Sequence, residues 1–405
     1  MLLYIIITII VLDFLLEQYL NHLNRKMMTP ALPEKLKGIY SEEEYARQQA
    51  YSRENSRLGL FSGALSFVAI LLICGFGGFG WLDKVLRNVT DNFIWLPLLY
   101  MGMLAFASQL IGLPFSWYDT FVIEEKFGFN KSTRKLFISD LLKGLLLSAV
   151  IGGGILASVI CIYQYAGEWF WVLAWGVITA FSVVMNMFYS EWIVPLFNKQ
   201  TPLEEGELRT EIEDFCRQAG FKLNNIFVMD GSRRSAKANA YFSGLGKKKR
   251  IVLFDTLITE LTTKEIVAVL AHEIGHYRKK HTLQGLVMSI ISTGIALFIL
   301  SLLLDNPALS NALGSDIPSF HLGLIGFSLL FAPISEITGL FFNMISRKNE
   351  YQADAFAAKF GLGEALGNGL KKISVKALSN LNPHPAYVFW HYSHPTLLQR
   401  LEKIS

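Results

Sequence analysis

The chain has 405 residues, of which 52% are hydrophobic and only 17% charged, with a formal net charge of +4. With a mean hydropathy of +0.36, this excludes a disordered chain, a collagen-like fibre and a coiled coil, argues against a soluble multi-domain enzyme, and leaves a membrane protein with several spans. So small a charge offers no basic face for nucleic acid, and three cysteines, Cys74, Cys161 and Cys216, give no disulfide framework, so the soluble part is expected to face a reducing compartment.

Apolar runs long enough to cross a bilayer predict seven membrane helices, at 2–20, 58–80, 93–115, 141–164, 169–194, 283–304 and 318–346. The first lacks the basic start and small-residue cleavage site of a signal peptide, so it reads as a span. The last is too long for one simple crossing and is expected to tilt or to leave the membrane still helical. Lys and Arg number seven in 21–57, two in 81–92, four in 116–140, none in 165–168, fifteen in 195–282, none in 305–317 and eight in 347–405. Rich and poor loops alternate, which places the N-terminus outside and 21–57, 116–140, 195–282 and the C-terminal tail in the cytoplasm. Asp13, Glu17, Glu191 and Glu336 fall in or beside spans. Asp13 and Glu17 can lie in the headgroup layer or face a wet interior; Glu336, deep in its run, is expected on an inward, solvated face.

Within 195–282, residues 204–219 read as a surface helix with Ile212 and Phe215 as apolar contacts, stopped by Gly220. Asn225 to Met229 is a short strand. Ala238 to Leu245 and Arg250 to Asp255 are two more, joined by Gly244, Gly246 and the lysines that follow into a hairpin with a basic tip. Thr262 and Glu265 have capping-box spacing, and a helix from there carries Ile266, Val269, Leu270 and Ile274 on one face.

That helix contains His272-Glu273-Ile274-Gly275-His276. A spacing of four puts both imidazoles on one face, one turn apart, where they can bind one Zn²⁺ with Glu273 beside its open position. The plainer alternative is two histidines at a helix–helix contact. A catalytic zinc needs a third protein ligand, and Asn349-Glu350-Tyr351-Gln352-Ala353-Asp354 supplies a candidate. Glu350 can reach the metal, and Asp354, one turn on, can accept the spare N–H of a ligand imidazole. The competing reading there is a solvated acidic face balanced by Arg347 and Lys348. On the zinc reading Glu273 is the general base for attack of water on a peptide carbonyl. His394 is a candidate donor to the oxyanion, with His384 and His391 close by in the same tail.

These residues resemble those of the type I CAAX prenyl endopeptidases, integral-membrane zinc metalloproteases. The resemblance covers essentially the whole chain: the seven spans, Leu270 to His276, Glu350 to Asp354, Asn239-Ala240-Tyr241-Phe242-Ser243-Gly244, and Ser393-His394-Pro395 with Arg400 beyond. It implies a mainly α, polytopic protein whose seven helices form a barrel around a water-filled internal chamber, with a zincin-like cytoplasmic protease domain and a small β-hairpin or sheet. It implies one zinc per chain on His272, His276 and Glu350, and Glu273 as base. Asn239, with Ala240 and Tyr241, would lie on the strand that aligns the substrate, His394 would assist at the oxyanion, and Arg400 would support the site from the substrate side. The implied substrates are prenylated CaaX proteins or peptides, which lose their last three residues.

The chain then divides into 1–194 (five spans and their loops), 195–282 (the motif-bearing domain), 283–346 (two spans) and 347–405 (the third ligand). A monomer in the bilayer, with its site toward the cytoplasm, is expected. Its apparent shortness, Thr396 after Pro395 and a tail without a dilysine signal fit a bacterial cytoplasmic membrane; a eukaryotic member would sit in the endoplasmic reticulum. A membrane quality-control zinc protease is the alternative enzyme, and a transporter or receptor with an incidental motif is the alternative class.

Overall fold

The computed structural model describes residues 1–221, 226–244 and 250–404. The protein is mainly helical. In chain order the first helices are α1 (Leu2–Lys26), α2 (Glu42–Gly75), α3 (Gly78–Arg87) and α4 (Trp95–Tyr118), the last running on as a π-helical stretch, Asp119–Glu124. Then come α5 (Arg134–Leu147), α6 (Gly153–Ala166) and α7 (Phe170–Trp192).

Six helical stretches among the described residues are long and apolar enough to cross a membrane. One of them, Arg134–Leu196, has 63 residues, about 95 Å if straight. It turns back at Gly167, whose φ of 52° suits glycine, and α6 and α7 pack on each other. Its two arms account for the expected fourth and fifth spans. Only 6% to 17% of each stretch's most apolar window is buried inside the protein, so most of that apolar surface is not covered by the protein's own packing.

Several helices begin well before their apolar runs. α2 starts in polar sequence because Ser41 accepts from Glu44 N while the Glu44 side chain accepts from Ser41 N. α5 starts behind Thr133, which accepts from Leu136 N. Hydropathy alone sees only the lipid-facing portion of such helices.

The water-facing part comprises β1 (Gln200–Pro202), α8 (Glu207–Gln218), β2 (Ile226–Met229), β3 (Ala240–Ser243), β4 (Arg250–Phe254), α9 (Asp255–Glu260) and α10 (Thr263–Arg278). α11 (His281–Leu303), α12 (Pro307–Ala312) and the 40-residue α13 (Phe320–Lys359) follow, then α14 (Gly363–Lys376), α15 (Pro385–His391) and α16 (Leu397–Ile404). The four-stranded sheet has the order β1-β2-β4-β3. β3 and β4 pair antiparallel, Tyr241 opposite Val252, as a hairpin would; β2 runs parallel to β4. Asn225, Leu245 and the basic tip at 246–249 lie outside the described residues. The strand expected over Arg250 to Asp255 ends at Phe254. The Asp255 carboxylate accepts from Ser232 N and Thr256 N and starts α9 instead. The surface helix expected over 204–219 is α8, Glu207–Gln218.

α10 lies in the core of this part. Ile266, Leu270, Ala271 and Ile274 are fully buried against Ile212, Leu253, Leu257 and Ala357. Its start is the expected capping box, Thr262 with Glu265. Three contacts fasten the sheet and the segments beside it to the membrane helices, and a fourth, from Lys143, ties α5 to the turn after α7. Arg250 Nη2 lies 2.9 Å from Glu191 Oε1, and Arg234 grips Asp140 with two hydrogen bonds of 2.8 and 2.9 Å. Lys143 Nζ donates to Leu196 O, and Lys237 Nζ reaches Glu124 at 3.0 Å while lying over the Phe129 ring. The segment that leads into β3 is therefore held at fixed height above the spans. Glu17 accepts from Asn21 and faces His391, whereas Asp13 and Glu336 are exposed.

Candidate metal centre and catalytic cavity

α10 and α13 cross closely because Gly275 has no side chain. A Cβ there would lie 3.1 Å from Ala353 Cα and 3.2 Å from Ala353 O. The close crossing brings the first two histidines of one helix to the carboxylates of the other.

His272 Nε2 and His276 Nε2 are 3.1 Å apart. Glu350 offers Oε2 at 3.5 Å from the first and Oε1 at 3.2 Å from the second. One ligand atom from each residue can be chosen so that all lie within 4.8 Å of one another. Donors bonded at 2.0–2.1 Å around a tetrahedral zinc stand about 3.3 Å apart, close to the 3.1 Å between the two imidazole nitrogens and to the 3.5 and 3.2 Å at which the two Glu350 oxygens approach them. Glu350 Oε2 is buried with no hydrogen-bond partner; His272 Nε2 and Arg400 Nη1 stand 3.5 and 3.4 Å away, near enough to favour its charge while leaving its lone pairs open to a metal ion. Two imidazoles and one carboxylate are a donor set suited to zinc, where magnesium or calcium would call for oxygen alone.

The surrounding groups fix the candidate ligands. His272 Nδ1 lies 2.8 Å from Asp354 Oδ1. Asp354 accepts from Arg400 Nε at 2.9 Å and Nη2 at 2.7 Å, and Arg400 Nη1 is 3.4 Å from Glu350. Arg400 thus ties both carboxylates together from α16. Without metal, burial opposes the charge on His272, but the Asp354 hydrogen bond and the neighbouring Glu350 carboxylate outweigh it and lift its pKa to about 9. Burial pushes the Glu273 carboxyl above the usual range, an effect that the two histidines partly offset.

His276 has its own support in His281, which the sequence reading did not single out. His281 Nδ1 is 3.0 Å from His276 Nδ1, and its Nε2 is 3.3 Å from Gln352 Oε1. With His276 donating from Nδ1, its Nε2 is left free to ligate, and His281 passes its remaining N–H to Gln352. The signal available was a third histidine just past the helix end, at the start of the next span.

The three candidate ligands open, together with Glu273, His281 and Arg400, onto one cavity of about 580 Å³, lined also by Asn239, Ala240 and His394 among others. His394 Nε2 stands 3.3 Å from Glu350 Oε1 and its side chain is 63% exposed, free to meet a second group. Asn239 immediately precedes β3, and its Oδ1 accepts from Ala240 N. Tyr241, the next residue on the strand, points to the opposite face. Its hydroxyl sits 3.3 Å from both Ser190 Oγ and Gln200 Nε2 and lines a separate cavity between α7 and α11. His384 caps α15 and His391 pairs with Glu17, so neither joins the cluster.

Comparison with known proteins agrees over the full length. Residues 21–199 match the family model described as CAAX prenyl protease N-terminal, five membrane helices, and residues 202–405 match peptidase family M48. The chain is 37% identical to a CAAX prenyl protease 1 homolog of Oryza sativa subsp. japonica over 98% of this chain and 96% of that one. It is 35% identical to CAAX prenyl protease 1 of Saccharomyces cerevisiae over 96% and 92%. The crystal structure of S. mikatae Ste24p superposes with a TM-score of 0.95 and 34% identity, covering 100% of this chain and 99% of that one.

Proposed function

The chain belongs to the CAAX prenyl proteases of peptidase family M48, and from that premise we propose that it is an integral-membrane zinc endopeptidase. Its substrates are prenylated CaaX proteins, from which it removes the last three residues. His272, His276 and Glu350 would hold the metal. Bound there, zinc supplies Lewis acidity that polarises the scissile carbonyl and acidifies water.

The rest of the work falls to side chains and backbone. Glu273, beside the ligands in the same cavity, takes the proton from the attacking water and returns it to the leaving amine. A carboxyl raised above its ordinary range is suited to both transfers. His394 Nε2 donates to the oxyanion as the carbonyl becomes tetrahedral. Asp354 and Arg400 hold His272 in the tautomer that leaves Nε2 free. β3 is the last strand in the order β1-β2-β4-β3, so an extended substrate can add along its outer edge, starting at Asn239 and Ala240. Met288, Phe342 and Ile345 give the cavity an apolar wall beside the cluster, which suits a lipidated peptide. The positive-inside pattern supports placing this site toward the cytoplasm.

The observation that carries this reading is the convergence of three ligand atoms within 4.8 Å in the cavity that also holds Glu273. Purified protein is expected to contain one zinc per chain and to cleave a prenylated CaaX peptide in preference to the unprenylated peptide. Glu273→Ala is expected to keep the zinc and lose about 10²–10⁴ in rate, whereas His272→Ala loses both. Wild-type cleavage by Glu273→Ala would overturn the mechanism, and equal cleavage of an unfolded, unlipidated chain would favour a quality-control protease.

A further inference from the structure

The turn from α10 to α11 carries three successive cations, Arg278, Lys279 and Lys280. Arg278 is used within the fold, donating to Ala219 O and Gly220 O. Lys279 and Lys280 are exposed, as is Lys348 on α13, and none of the three has an ion-pair partner among the described residues. Lys280 also has a φ of 61°, a left-handed conformation that glycine or asparagine adopts more readily.

These lysines rim a groove of about 720 Å³ between α11 and α13, walled by Leu283, Val287, Phe341 and Ile345. Leu283, Val287 and Phe341 are 47%, 45% and 59% exposed on two membrane-crossing helices, so the groove opens sideways to acyl chains. It also adjoins the catalytic cavity: His281, Gln284, Met288, Ile345 and Asn349 line both. A hydrogen bond of 3.0 Å from Asn349 Nδ2 to Gln284 Oε1 crosses the partition.

We infer that this groove binds an anionic phospholipid, its phosphate among Lys279, Lys280 and Lys348 and an acyl chain along Leu283, Val287 and Phe341. Charge complementarity selects the occupant. Three unpaired cations at the end of two spans call for an anionic headgroup at the membrane surface, and phosphatidylserine brings two anionic groups there, a phosphate and a carboxylate. A prenyl chain is neutral, and a peptide terminus carries a single carboxylate. The lipid so placed lies against the Asn349–Gln284 partition and props the opening between α11 and α13 beside the metal ligands. This site does not depend on the proposed peptidase activity, and its binding test needs none.

The test is equilibrium binding of fluorescent phosphatidylserine and phosphatidylcholine to the full-length protein in a neutral detergent. Phosphatidylserine is expected to bind saturably, and K279Q/K280Q/K348Q to weaken it by on the order of 100-fold. K279R/K280R/K348R should retain it, and phosphatidylcholine should show no difference between variants. Unchanged phosphatidylserine binding by the glutamine variant would refute the site. So would an equal loss in K264Q/K359Q/K403Q, which removes three other exposed lysines and would reveal a general charge effect. In vesicles of phosphatidylcholine alone, wild type and glutamine variant should cleave a CaaX peptide with the same KM. Adding about 20 mol% phosphatidylserine should stimulate only the wild type. A raised KM for the glutamine variant without anionic lipid would assign the lysines to the peptide carboxylate instead, and the inference would fail.

Discussion

Each end of α13 holds a buried histidine–aspartate pair of nearly the same length. At the first end His321 Nε2 lies 2.7 Å from Asp83 Oδ1; at the other His272 Nδ1 lies 2.8 Å from Asp354 Oδ1. Both aspartates are also held by an arginine, Arg87 or Arg400. The difference lies in the second imidazole nitrogen. His321 Nδ1 is buried without a partner, its ring set 4.3 Å from that of Tyr100. Around it Gly80 and Gly314 approach so closely that a Cβ on Gly80 would fall 2.1 Å from Gly314 O. His272 Nε2 instead faces His276, Glu350 and a cavity. The same pair is a clamp at one end and, on the proposed reading, the support of a metal ligand at the other; what stands opposite the imidazole distinguishes them.

The comparison can be broken most forcefully by removing each aspartate in turn. Asp83→Ala strands a buried histidine and an arginine, and is expected to cost about 3–5 kcal/mol of stability. Zinc affinity should not change, because the ligands lie roughly 40 Å further along the same helix. Asp354→Ala should weaken zinc binding about 10–100-fold. Thermal unfolding and zinc competition titration on both variants test the contrast, and it fails if Asp83→Ala releases the metal.

A smaller effect is expected at His281. His281→Ala leaves every ligand in place but removes the partner of His276 Nδ1, so zinc affinity should fall about tenfold. An unchanged affinity would show that His276 needs no such support.

The mildest test is pH. The pKa of His272, about 9 without metal, means that the ring is charged at neutrality and must lose a proton to ligate. Zinc affinity should rise about tenfold per pH unit toward that value, with one proton released by His272. In the metal-free protein the sign reverses. The charged His272 adds stability that is full below its unfolded value and is lost as pH climbs through about 9. A flat affinity between pH 7 and about 8 would show that His272 is already neutral.

Much of this arrangement was legible because it rests on periodicity. Runs of apolar residues marked the spans, and a spacing of four put His272 over His276 and Glu350 over Asp354. The capping box at Thr262 fixed the start of α10, whereas the equivalent signal at Ser41 passed unread inside a polar stretch. β1 has three residues, too few to show alternation, and the parallel pairing of β2 with β4 leaves no local mark. His281 and Gln352 meet across a turn and between two helices, a contact that no spacing in one segment encodes. Tyr241 shows the reverse case, where a run of neighbouring residues is split between two faces by the strand's pleat.

The 40 residues of α13 form a rod about 60 Å long, twice the roughly 30 Å thickness of a hydrocarbon core. Glu350 and Asp354 ride on its far end, and their partners lie on α10, beside the four-stranded sheet. A thicker or thinner membrane would change the angle at which such a rod stands. One continuous helix thus runs from the Asp83–His321 clamp to Glu350 and Asp354.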